Sequence, residues 1–193
     1  MGCLIPHLLW STLLVLTNGG EWLNFFYYWT LWGWFVSIIA QVMSLLAAWK
    51  PEYWHVTAFA WMEVAHSLNL GVTFAFWIIL MPILWPQIPA GFPSSNQDYF
   101  VIAHMTILHA TPIIMIWLNV HYTDIKLLSA DWKLVVFHGC FYAFANLLGQ
   151  TDQDSPIYPM TDWSNHTGIA VAFYMFGVPL MTGFYLGYCR WAN

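Results

Sequence analysis

Apolar residues in this chain come in long uninterrupted runs, and the polar residues that separate them are turn formers. The runs cover about 4–17, 22–49, 55–84, 99–120, 132–148 and 168–189. A helix needs about 17 residues to cross the hydrocarbon of a bilayer. The last five runs meet that length, and the first is a short or tilted span. Asn18-Gly19-Gly20, Lys50-Pro51 and the Pro/Gly/Ser-rich stretch from Trp85 to Asn96 break the helices between them. The pattern predicts one all-α transmembrane domain over residues 1–193, a bundle of about six spans with no soluble domain attached.

Within the runs, polar residues recur at helical spacing. Thr30, Gly33, Ser37, Gln41 and Ser44 mark one face of the second run, and Glu63, His66, Asn69 and Thr73 one face of the third. His138, Tyr142 and Asn146 do the same in the fifth. Ionisable groups at bilayer depth are costly unless they find partners, so these faces look into the bundle. Small residues at such spacing also serve close helix packing. Glu63 is the one carboxylate deep within a run, and its expected partner is a neighbour such as His66 or His138, failing which it is protonated. Pro112 follows His109 and leaves the carbonyl of Leu108 without its usual donor, which tends to kink the helix there.

Composition agrees with the pattern. Of 193 residues 60% are hydrophobic and 7% charged, against about 25% charged in soluble domains. The net charge of -5 is scattered over the loops, so no basic patch exists for nucleic acid. Cys3, Cys140 and Cys189 have no metal-site spacing and form no disulfide framework. No cofactor or metal site is expected, although His66 and His138 would be the pair to consider for haem.

Charge sets the orientation. Lys50, Lys126, Lys133 and Arg190 all fall on one face of a six-span bundle, while 18–21, 85–98 and 149–166 carry no Lys or Arg. The positive-inside rule assigns the basic face to the cytoplasm, or to the matrix of a mitochondrion. Both termini then lie inside, in an endomembrane or the plasma membrane, with the mitochondrial inner membrane as the alternative. Asn165-His166-Thr167 forms a glycosylation sequon on the opposite side.

Depth can be counted along the helices. Thr30 lies eight residues below Trp22, and His109 ten below Tyr99, both from the same side. At about 1.5 Å per residue the two depths agree within a turn. A hydroxyl and an imidazole at one depth form a nucleophile–base pair if their helices adjoin. Trp32, Tyr28 and His104 are the candidates for stabilising an oxyanion beside them.

Two stretches resemble a known family. Gly19-Gly20-Glu21-Trp22, with Phe25 to Trp29 leading into Thr30, is similar to the second helix of the androgen-induced-gene membrane proteins. His109-Ala110-Thr111-Pro112 is similar to their fourth helix. The resemblance implies a six-helix threonine hydrolase acting on fatty acid esters of hydroxy fatty acids, with Thr30 as nucleophile and His109 as base. Ile157-Tyr158-Pro159-Met160-Thr161-Asp162-Trp163 resembles instead the rolling-stone-type multispanning proteins, which imply no defined activity.

Two functions of different class follow. One is an intramembrane lipid-ester hydrolase, whose partners are membrane lipids and a lipid ester substrate. The other is a non-catalytic subunit of a larger membrane protein complex, possible in a respiratory membrane, to which short loops and a dense aromatic surface are suited. The topology is open to test by cysteine accessibility in sealed vesicles. Positions 50, 126 and 190 should label from one side, and positions 93 and 152 from the other; labelling of 126 and 152 from the same side would overturn it.

Overall fold

The computed structural model describes Leu9 and residues 27–88 and 91–192. The short first run, the expected helix start at 22–26 and the Gly19–Trp22 motif lie outside these residues. Five long helices make up the described chain: α1 (Trp29–Trp49), α2 (Pro51–Phe74), α3 (Asn96–Tyr122), α4 (Trp132–Gln153) and α5 (Thr167–Ala192). Among the described residues there is no strand. Beyond Phe74, α2 continues through a π-helical stretch, Ala75–Leu80, into a last α turn, Met81–Leu84. Pro82 has no N–H for the carbonyl of Ile78 and its ring crowds that carbonyl, so the wider π turn lies where a regular α-helix would clash.

Among the described residues, four helical segments are long and apolar enough to cross a membrane: Trp29–Trp49, Pro51–Leu84, Asp98–Tyr122 and Thr167–Ala192. That is consistent with a multi-pass membrane protein. The fifth run does form a helix, longer than expected at its C-terminal end, but α4 is not among the four. Lys133, His138, Asn146, Gln150 and Asp152 dilute its apolar residues. Pro112 leaves α3 helical from end to end, and α3 opens on a capping box in which Ser95 and Asp98 satisfy each other's backbone N–H.

The bundle is built around α2, which touches α1, α3, α4 and α5 and packs most extensively on α1. Gly33 is what permits that closeness. A Cβ on Gly33 would stand 2.6 Å from Oδ1 of Asn69. Across the contact, the Asn69 amide nitrogen shares its two hydrogens among the Gly33 carbonyl (2.9 Å), Ser37 Oγ (2.8 Å) and the Ala65 carbonyl of its own helix (2.8 Å). Ser37 in turn donates to the Gly33 carbonyl at 2.7 Å. The polar stripe of α1 therefore faces inward: Thr30, Gly33, Ser37 and Gln41 are all buried. Lipid offers polar groups no partner, so such groups cluster where they can bond one another.

Glu63 has a different partner from those expected. Its Oε1 accepts the backbone N–H of Leu128 at 2.7 Å, and Tyr185 Oη donates to the carbonyl of the same residue at 2.9 Å. The α3–α4 connection is thus gripped on both its polar groups, with Ile125 and Leu127 buried beneath. His66 is fully buried and accepts from Trp117 Nε1 at 3.2 Å, while its ring packs between Tyr185 and Tyr188. The Nε2 lone pair that could bind a haem iron is therefore engaged. His138 Nδ1 donates to Leu134 one turn back, at 2.6 Å.

Replacing Gly33 with Leu should push α1 off α2 at a cost of about 1–3 kcal/mol, the usual range for overpacking. Thermal unfolding in detergent measures it, and an unchanged midpoint would mean that the contact tolerates separation.

Candidate active site

The structure brings Thr30 and His109 together. Thr30 Oγ1 lies 3.0 Å from His109 Nε2, and both residues are buried. The other ring nitrogen, Nδ1, lies 2.7 Å from the carbonyl oxygen of Met105. A carbonyl can only accept, so Nδ1 carries the hydrogen and Nε2 presents its lone pair to the Thr30 hydroxyl. The imidazole is fixed in the tautomer a general base needs, with a backbone carbonyl in the orienting role that a carboxylate usually has.

Packing holds the ring in place. Phe76, from the π-helical stretch of α2, stacks on it with centroids 3.5 Å apart and planes 14° apart. Thr73 donates to the His109 carbonyl at 2.8 Å and ties α2 to α3 at this level. The wider π turn thus carries Phe76 onto the imidazole. π turns occur often at functional sites.

The pair opens on a cavity of about 30 Å³, lined among others by Trp29, Thr30, Phe76, His109, Tyr158 and Tyr174. A water needs about 10–15 Å³ of such space, so one or two fit. An apolar cavity adjoins it, lined by Phe74, Ile79, Gly177 and Met181 and sharing Trp29, Ala75, Phe173 and Tyr174 with the first.

The oxyanion candidates named from sequence stand elsewhere. Trp32 packs on Phe141 and Tyr142, Tyr28 is exposed and meets Tyr158 edge-on, and His104 stacks on Phe100. None of the three lines the cavity. What lines it instead is a group of tyrosines. Tyr142 donates to the carbonyl of Tyr27 at 2.7 Å. The Tyr158 hydroxyl neighbours those of Thr30 and Tyr142, and burial pushes its pKa up, so it stays a neutral phenol. Tyr174 stacks on Trp163, with centroids 5.7 Å apart. Tyr158 belongs to the 157–163 motif, whose Tyr-Pro-Met sequence was the available signal.

That motif is clamped against α4. Asn146 Oδ1 accepts Trp163 Nε1 at 2.9 Å, and Gln150 Oε1 accepts the backbone N–H of Trp163 at 2.8 Å. Gln150 Nε2 donates to Asp162 Oδ1 (3.1 Å) and Ser164 Oγ (2.9 Å). The polar face of α4 thus seats the loop that closes the cavity. Asp162 also accepts the backbone N–H of Asn165 and Ser164 and the side-chain amide of Asn165. These bonds, the Asn165 backbone N–H first, hold its carboxyl well below the ordinary range. They also occupy the side chain of the sequon asparagine.

Among the described residues, no three of His, Cys, Asp and Glu gather to hold a metal ion. The chain matches no family model, and no curated protein or solved structure shows significant similarity to it.

Asp162 yields a pH dependence. Its carboxylate is stabilised in the folded state, so the clamp is at full strength above the ordinary carboxyl pKa of about 4. It weakens as the pH falls below that, and is lost only as the pH passes the depressed pKa of the folded state. Backbone amides of Ser164 and Asn165 should exchange with deuterium somewhat faster at pH 3 than at pH 6, after correction for intrinsic rates. Asp162→Asn should show the fast exchange at both. Equal protection in wild type and variant at pH 6 would refute the clamp.

Proposed function

We propose that this chain is an intramembrane lipid-ester hydrolase of the androgen-induced-gene type, with Thr30 as nucleophile and His109 as general base. The observation that carries the reading is the 3.0 Å contact between Thr30 Oγ1 and the unprotonated nitrogen of His109 at a buried cavity. Such a bond could be a mere packing contact, but its surroundings favour chemistry. The cavity admits water, and the space beside it is apolar, the chemistry an acyl chain needs once substrate binding widens it, as for a fatty acid ester of a hydroxy fatty acid.

The mechanism follows from the atoms present. The ester carbonyl carbon approaches Thr30 Oγ1, and His109 Nε2 takes the hydroxyl proton as the new C–O bond forms. The imidazolium keeps its Nδ1–H bond to Met105, which strengthens once the ring is charged. It then gives its proton to the departing alkoxide. A water in the cavity attacks the acyl-threonine with His109 again as base, and the fatty acid is released.

The finer topology belongs to the same reading. With α4 as a span, Phe137, Phe141, Phe144 and Leu148 on its exposed side would face lipid. The run 4–17 would supply a first span and leave both termini on the basic side. Exposed Trp49, Tyr53, Tyr122, Trp132 and Trp191 flank Lys50, Lys126, Lys133 and Arg190 in the chain, as interfacial aromatics do.

Thr30→Ala and His109→Ala should each abolish ester hydrolysis, and the double variant should be no worse, since members of one catalytic unit fail together. Thr30→Ser keeps the hydroxyl and should retain activity. Thr30→Ala leaves Nε2 of His109 without its donor, so it should also lose about 1–3 kcal/mol of stability. A wild-type protein that hydrolyses no lipid ester, or an active Thr30→Ala, would leave the accessory-subunit reading in its place.

A further inference from the structure

A threonine–histidine pair is not a complete site for ester cleavage. When Thr30 attacks, the carbonyl π electrons move onto oxygen, and that charge needs hydrogen-bond donors fixed in advance. In lipid no bulk water can supply them. The polar hydrogens around the cavity can be accounted for one by one. Thr30 gives its hydrogen to His109, His109 Nδ1–H goes to Met105, and Tyr142 donates to Tyr27. The Tyr158 hydroxyl is engaged with Thr30 and Tyr142.

Two donors remain. Tyr174 Oη and Trp29 Nε1 are both buried, have no hydrogen-bond partner among the described residues, and belong to residues that line the same cavity as Thr30 and His109. Leaving a buried donor unsatisfied costs about 1–3 kcal/mol in a protein. Two such donors at one cavity are a recurrent cost unless something that enters the cavity satisfies them. Trp32 Nε1 is likewise buried and unpartnered, but Trp32 does not line the cavity.

We propose that Tyr174 Oη and Trp29 Nε1 form the oxyanion-stabilising pair of the Thr30 site. This rests on the hydrolase reading. As Thr30 Oγ1 bonds to the carbonyl carbon and its proton passes to His109, the carbonyl oxygen becomes the oxyanion. It accepts from the Tyr174 hydroxyl and the Trp29 indole, neither of which gives up its proton. When the C–O bond to the leaving group breaks, the electron pair returns to re-form the carbonyl, and His109 protonates the leaving oxygen. Both donors are held in advance. Tyr174 stacks on Trp163, itself bonded to Asn146, and Trp29 stacks on Tyr142 with centroids 5.0 Å apart. The far edge of the Trp29 indole lies against Gly71, where a Cβ would stand 2.7 Å from it.

The test is Tyr174→Phe in the full-length protein, reconstituted in nanodiscs and assayed with a para-nitrophenyl ester of a medium-chain fatty acid. It removes one oxygen and no packing. A donor to the transition state predicts a kcat lower by about 100-fold or more with KM within a few-fold. The same variant should unfold at an equal or higher temperature, because an unsatisfied buried hydroxyl has gone. A medium-chain trifluoromethyl ketone, which forms a tetrahedral adduct, should lose affinity in step with kcat/KM. Trp29→Phe should follow the same pattern in kcat and inhibitor affinity, with a lower unfolding temperature from the smaller ring. Wild-type kcat and inhibitor affinity in Tyr174→Phe would overturn the oxyanion assignment and leave the Thr30–His109 reading intact. A wild-type protein that neither hydrolyses the ester nor forms an acyl adduct at Thr30 would overturn both.

Discussion

Asn69 reaches from the central helix to the backbone of α1, and much of the bundle depends on that reach. Its amide bonds α1 at Gly33 and Ser37 and α2 at Ala65. The bonds can form only because Gly33 has no side chain to hold the helices apart. In water a looser contact could be filled by solvent. In hydrocarbon, helix association relies on close packing and on polar groups that bond between helices. Fixing α1 on α2 at Gly33 carries through to the residue one turn earlier. Thr30 shares that face of α1, and α3 approaches it through Thr73 and Phe76 of α2. The contact between Thr30 and His109 thus results from two helices each packed on α2.

Histidine bases in soluble hydrolases are usually backed by a carboxylate, and under the proposed hydrolase reading the absence of one beside His109 among the described residues has a physical sense. A carboxylate buried next to the imidazole would itself need desolvation, which costs several kcal/mol. The Met105 carbonyl fixes the same tautomer without bringing a charge to bilayer depth. The compensating loss is weaker stabilisation of the imidazolium, which throws more of the burden onto whatever stabilises the oxyanion. Glu63, the carboxylate buried on α2, is committed to the α3–α4 connection at Leu128.

Much of the architecture was legible in the sequence because lipid enforces simple rules. Among the described residues, the last five runs of apolar residues correspond to helices, and the stripes on α1 and α2 face inward, since period and polarity decide those matters. The depth count set Thr30 and His109 level, but only packing could make their helices adjoin. Other features required three dimensions. The partner of Glu63 is a backbone amide 65 residues away in a loop, which no spacing rule can announce. The tyrosines at the cavity were hidden by abundance. Among 14 Trp, 14 Phe and 10 Tyr, nothing in sequence separates Tyr174 from residues that face lipid, and Tyr158 was marked only by its place in the 157–163 motif. The polar face of α4 was visible, yet its use as a seat for the 157–163 loop was not, because no spacing rule pairs Asn146 and Gln150 with Asp162 and Trp163 across the turn.

That loop connects the two halves of the molecule's logic. A helix bundle in lipid closes its polar interior from the sides, where side chains interdigitate, but its ends are open to water. The ester chemistry proposed for this cavity needs some water and not much, since a flooded cavity would weaken every electrostatic interaction inside it. The 157–163 segment folds over the cavity, inserting Tyr158 and Met160, and Asp162, Gln150 and Asn146 hold it by its backbone and its tryptophan. Trp163 then stacks on Tyr174, so the element that closes the cavity also orders a residue lining it. Polar residues on α4 lower its apolarity below that of its neighbours. The same residues are the reason the loop has somewhere to bind. The helix least like a membrane span by composition is therefore the one that seats the loop lining the cavity.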